Sequence, residues 1–172
     1  MRKKIGYILL VAVTAFIGYS IFKETTWSPL EKKDFNYLFP NYDDNAIIVY
    51  HKDFIGWSHG DYFEMFIYRL NNIHIEPSYP KIKQDWEYTT LPDTTKVIKW
   101  LNCPIDSITQ AKYNYELAWI TDSEVNERKM LKNDLEDVNN YYSCIYVSGL
   151  QKYFLLYSPS KKILYYIRQN GF

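Results

Sequence analysis

Net charge is absent from this chain: Lys and Arg total 20, and so do Asp and Glu. With no basic run interleaved with aromatics, it offers no electrostatic basis for gripping a phosphate backbone, and nucleic acid is excluded as an expected partner. Histidine is scarce at three residues and cysteine at two. Their spacing matches no closed zinc pattern, and neither cysteine has a local His or Asn to make it a nucleophile. No cysteine follows the N-terminal apolar run, so lipid attachment there is not indicated. No complete catalytic constellation is legible.

What the chain does have is apolar and aromatic mass. Hydrophobic residues make up 47% and aromatic residues 19%, enough for a packed core and too much for wholesale disorder. The 18 tyrosines have a bland origin in AT-rich coding. An exposed aromatic platform for a polymer or partner is the sharper alternative. At 172 residues the length fits one domain plus an appendage.

The appendage is N-terminal. Met1–Lys4 places three cations ahead of Ile5–Phe22, a run with no charged residue. As a helix this run is about 27 Å long, just enough to cross a hydrocarbon core. The cation bias orients the N-terminus to the cytoplasm and the rest outside. A cleavable signal is the rival reading, with Gly18 and Ser20 as small residues at a cleavage point. The apolar run continues past them through Ile21 and Phe22, which favours an uncleaved anchor. The expected organisation is therefore residues 1–26 as a membrane anchor or signal peptide, and residues 27–172 as an extracytoplasmic domain.

That domain is organised around His51–Leu70. Ala46–Tyr50 is a β-branched run, and Tyr62–Leu70 reads as a strand with Phe63, Met65 and Ile67 facing a core. Its other face, Tyr62, Glu64, Phe66 and Tyr68, reads as partly wet. The two runs pair as a hairpin across a loop holding His51, Asp53, Trp57, His59 and Asp61, with Gly56 and Gly60 supplying turn freedom. Those His and Asp residues offer a metal set or an acid/base pair (His51, Asp53, His59, Asp61). Backbone-bonded turn residues are the commoner use of such a pattern. As part of a binding face, the loop presents Trp57, His59 and Asp61.

Elsewhere, Trp27–Pro40 reads as a short helix with Ser28 as cap, Pro29 first inside and Glu31 closing a capping box. Asn71–Pro80 reads as loop or edge strand, and Lys81–Leu91 as a strand. Asp93 caps a helix over TTKVIKWLN in which Val97, Ile98 and Leu101 share a face. Tyr113–Trp119 alternates as a strand does. Asp122–Asn140 is a helix with Met130, Leu131, Leu135 and Val138 inward and Glu127, Lys129, Lys132 and Asp134 solvated. Tyr141–Val147, Lys152–Tyr157 and Ile163–Arg168 form an antiparallel meander. The fold class expected is α+β: an N-terminal transmembrane helix, then an antiparallel sheet of about five strands packed with one or two helices.

In an oxidising compartment Cys103 and Cys144 are a disulfide candidate, worth about 4 kcal/mol in chain entropy. A buried free thiol on a strand is as ordinary.

The motif order Gly56-Trp57, His59-Gly60-Asp61, Asp85-Trp86 with Leu91-Pro92, and Tyr157 through Tyr166 resembles a loose, uncharacterised family of small bacterial proteins. Its members carry a Gly-Phe-His-Gly-Asp-Gly turn, a Trp…Leu-Pro segment and a C-terminal hairpin ending Leu-Tyr-Tyr, and many look exported or anchored. This chain departs from that pattern at Ser58 and at Tyr62. The resemblance implies export or anchoring and no activity. The functional expectation is a non-enzymatic, membrane-anchored domain that binds an envelope protein, with immunity against a toxin as a sub-case and no cofactor. A metal-dependent hydrolase centred on the His51–Asp61 loop is the alternative, and a self-associating assembly subunit the third reading.

Overall fold

The computed structural model describes residues 7, 9–18, 29–55, 61–71, 73–81, 96–111, 126–147 and 151–171. In chain order these give helical residues 9–18 (α1), α2 at Lys32–Leu38, β1 at Ile47–Asp53, β2 at Tyr62–Arg69 and β3 at Lys96–Asn102. Helical residues 107–111 (α3), α4 at Asn126–Glu136, β4 at Tyr141–Tyr146, β5 at Lys152–Ser158 and β6 at Ile163–Asn170 follow. All strand pairs are antiparallel, and the sheet order is β1-β2-β6-β5-β4-β3.

Two sequence expectations about the fold class are corrected here. The sheet has six strands, not about five. Among the described residues no helix is long and apolar enough to cross a membrane, so the transmembrane helix expected over Ile5–Phe22 is not found. Residues 1–6, 8 and 19–28 lie outside the described residues.

The sixth strand is the segment expected as a helix. Val97 packs into one core cluster and Ile98 into the other, which is strand alternation rather than a helical stripe. Leu101, expected on the same helical face, is left 44% exposed. Pairing decides the matter: β4 offers a free edge, Ser143 Oγ donates to the Ile98 carbonyl at 2.7 Å, and the Trp100 indole donates to the Leu38 carbonyl at 2.8 Å. A short β-branched run follows such a template over its own weak helical spacing.

The hairpin of β1 and β2 forms as expected, in a register from Ile47 opposite Arg69 to Asp53 opposite Glu64. The wet face expected for β2 does not exist. Because β2 is flanked by β1 and β6, its interior is buried on both sides. Phe63, Met65 and Ile67 join a cluster with Leu131 of α4, while Phe66 and Tyr68 pack with Phe35, Leu38 and Phe39 at α2. The sheet is thus the middle of three layers.

Helix α2 starts a turn later than its sequence signals suggest. Its N-cap is Glu31, whose amide donates to the Asp34 carboxylate at 2.8 Å. Leu30 is held outside the helix, since its amide donates to the buried Tyr68 hydroxyl at 2.6 Å and its side chain enters the core. On α4, Leu131 and Leu135 face the core as expected. Asp134, expected in solvent, is instead buried: Lys161 Nζ lies 2.5 Å from Oδ1 and the Tyr165 hydroxyl donates to Oδ2 at 2.7 Å. Val138 lies beyond the helix and is exposed. The C-terminal meander of β4, β5 and β6 stands as expected. The segments 82–95 and 112–125, with the strand readings made for them, lie outside the described residues.

Candidate functional site

Of the loop residues singled out by sequence, His51, Asp53 and Asp61 are described, while Trp57 and His59 lie outside the described residues. The structure does not bring the three together as a ligand set. Asp53 turns on its own chain, its Oδ1 accepting from the Ile55 amide at 3.1 Å, an Asx turn. Asp61 lies against the C-terminus. Gly171 there has φ +94°, and a Cβ on it would come within 2.0 Å of Asp61 Oδ1, so only glycine fits.

His51 points elsewhere, into a buried cluster the sequence did not reveal. Glu64, 1% exposed, stands between two partners on its flanking strands. On β6 the residue directly opposite is Arg168, whose Nε lies 3.1 Å from Glu64 Oε2. The two groups attract as opposite charges at that distance. On β1, His51 Nε2 sits 3.1 Å from Glu64 Oε1, and its ring stacks on Phe66 with centroids 4.3 Å apart. The Arg168 guanidinium also lies 3.8 Å from the Tyr62 ring centroid, a cation–π contact. Beyond it, Gln151 Nε2 donates to the hydroxyls of Tyr62 at 3.2 Å and Tyr153 at 2.7 Å.

This arrangement ties three strands together by one carboxylate. It satisfies a buried charge, and it orients the His51 ring. Among the described residues it contains no nucleophile beside the histidine, and no three His, Cys, Asp or Glu side chains converge as a metal-binding group. The signal for it was in plain view: a lone glutamate in the aromatic run of β2, and an arginine in the equally aromatic β6. Only the register makes them opposite.

Cys103 and Cys144 are free and buried. Cys103 lies just past the end of β3, its amide bonded to the Asn140 carbonyl at 2.9 Å, while Cys144 sits within β4 opposite Ile98. Burial, reinforced by Asp137 and Asp134, pushes the Cys103 thiol up to about 12, which leaves it inert.

No known family, curated protein or solved structure matches this chain. The functional reading therefore rests on its own surface.

That surface has two unlike sheet edges. The β3 edge is covered in part: the Trp100 amide donates to the Tyr79 carbonyl at 2.8 Å, and Lys99 Nζ reaches the Pro80 carbonyl. At the β1 edge, among the described residues, no further strand pairs along the outer side. Here Ile47, Ile48 and Val49 are 57%, 37% and 42% exposed, with an irregularity in the pairing to β2 between Ile48 and Tyr50. Beside the head of β1 lies a cleft of about 500 Å³ lined by Tyr42, Asp43, Asp44, His74 and Glu76 among others. Asp44 is committed to the chain, accepting from the Asn45 amide at 2.7 Å and the Asn71 amide at 2.9 Å. Asp43 is exposed. Tyr42 is buried beside it, and burial, then Asp44, pushes its phenol up to about 12.

Proposed function

We infer that this chain is a non-enzymatic protein-binding domain that takes its partner on the edge of β1. One observation carries the reading: three consecutive β-branched residues, Ile47, Ile48 and Val49, stand exposed on an edge strand, while the opposite edge is covered in part. Exposed apolar edges invite strand addition, and most proteins blunt them with charge, proline or a covering loop. A strand added here gains a ladder of backbone hydrogen bonds and covers these side chains, each worth up to about 1.5–3 kcal/mol when fully buried.

The test is in-cell crosslinking of the full chain with a photoreactive residue at position 49, compared with the same residue at 138. Position 138 is an exposed control far from β1 in sequence. A dominant crosslink at 49, absent at 138 and abolished by Ile48→Lys, is the expected result. Equal crosslinking at the two positions overturns the reading.

A further inference from the structure

We propose that α1 is a lipid-contacting element, whose side chains enter the hydrocarbon of an anionic phospholipid bilayer. Leu9, Leu10, Val11, Val13, Phe16 and Ile17 are exposed at 45–70%, and neither core cluster draws a residue from α1. At about 100° per residue, Leu9, Val13 and Phe16 fall on one side of the helix and Val11 on the opposite side. Leu10 and Ile17 lie between them, and Ala12 and Ala15 close the circuit. The helix is thus apolar on every side, where a helix on the surface of a folded domain shows a polar face to water.

Thr14 is the one polar side chain in residues 9–18, and its hydroxyl is turned back on the helix. It donates to the Leu10 carbonyl at 2.9 Å, shared with the Val11 carbonyl at 3.0 Å. Hydrocarbon imposes this economy, because a polar group there must find its partner within its own segment. A groove or sheet edge on another protein covers one side of such a helix, whereas hydrocarbon surrounds all of them. Charge selects the lipid. Arg2, Lys3 and Lys4 precede the helix, and the first acidic residue of the chain is Glu24, so this end is drawn to anionic headgroups. Tyr7, 72% exposed, stands between those cations and Leu9, with the amphipathic ring that suits the headgroup level. Entry into hydrocarbon is distinct from crossing it, and the side chains call for entry alone.

The experiment is flotation of the full chain, diluted from detergent into vesicles of phosphatidylcholine and phosphatidylglycerol, over a lipid dilution series. An environment-sensitive fluorophore on Phe16→Cys, read with lipids brominated along the acyl chain, reports contact with hydrocarbon. Cys103 and Cys144 are buried and stay unlabelled in the folded protein. The wild type should float, and brominated lipid should quench the label. Val13→Asp should lower the partition coefficient at least about tenfold. Ile108→Asp, at an exposed apolar position of α3, should leave it unchanged. Replacing Arg2, Lys3 and Lys4 by Gln should weaken binding to the anionic vesicles at least about tenfold and leave binding to phosphatidylcholine alone little altered. Urea midpoints matched to wild type show that each variant keeps its folded domain.

A wild type that stays out of the vesicle fraction overturns the proposal. So does flotation that Val13→Asp leaves intact, or that Ile108→Asp reduces equally. A label shielded from water yet unquenched by brominated lipid shows α1 covered by protein, a second copy included, and removes lipid as the occupant. A triple Gln variant that binds both vesicles as the wild type does removes the anionic lipid, and the proposal with it.

Discussion

Removing the Glu64 side chain should cost far more than its modest number of contacts suggests. In Glu64→Ala the Arg168 guanidinium, with its side chain 4% exposed, keeps its charge in the core beside an empty site, and His51 loses its buried acceptor. Breaking a buried ion pair from one side costs about 3–5 kcal/mol, because the surviving charge stays desolvated. With a urea m-value of about 2 kcal/mol/M, this lowers the unfolding midpoint by about 1.5–2.5 M. Glu64→Gln keeps the shape and an acceptor for His51 and should lose less, about 1.5–3 kcal/mol. The decisive variant is the pair Glu64→Leu with Arg168→Met, which removes both charges at similar volume. If the penalty is that of a buried charge deprived of its carboxylate, the double variant should be more stable than Glu64→Ala and within about 1–2 kcal/mol of wild type. Urea titration followed by circular dichroism on the full chain measures all of these. A Glu64→Ala loss below about 1 kcal/mol, or a double variant that loses the sum of its singles, refutes the reasoning.

Alkali should unfold the protein through its buried acids. Burial holds the Tyr42, Tyr142 and Tyr157 phenols at about 12 against an ordinary 10.0, and the Cys103 thiol at about 12 against 9.0. The unfolded chain releases these protons first, so their contribution to stability is complete below about pH 9 and is lost as pH rises toward 12. The urea midpoint is expected to fall across that window, with phenolate absorbance of the buried tyrosines rising only as the chain unfolds. A flat midpoint there contradicts it. The thiols give a third check. Native protein should leave both cysteines unreactive to a thiol reagent without prior reduction, and denatured protein should expose two thiols. Rapid labelling of the native state would place them outside the core.

Local pattern alone was enough for the β1–β2 hairpin, the C-terminal meander and α4, because in each the apolar period matches the element and turn residues bound it. Where pattern was short, long-range partners decided. Lys96–Asn102 carries both a weak helical stripe and β-branched residues, and the free edge of β4 made it a strand. Leu30 was drawn out of a helix by the Tyr68 hydroxyl. Asp134 reads as surface on a helical wheel, yet Tyr165 and Lys161, from the far end of the chain, bury it.

The functional surface divides the same way. Local pattern marks Ala46–Tyr50 as a strand with His51 and Asp53 just after it. Long-range pairing puts this strand at the end of the described sheet, turns His51 inward to Glu64 and sets Arg168 opposite that glutamate. Edge position and cross-strand register depend on which strands pair, and pairing joins residues a hundred positions apart, as Glu64 and Arg168 are. No local pattern carries that information.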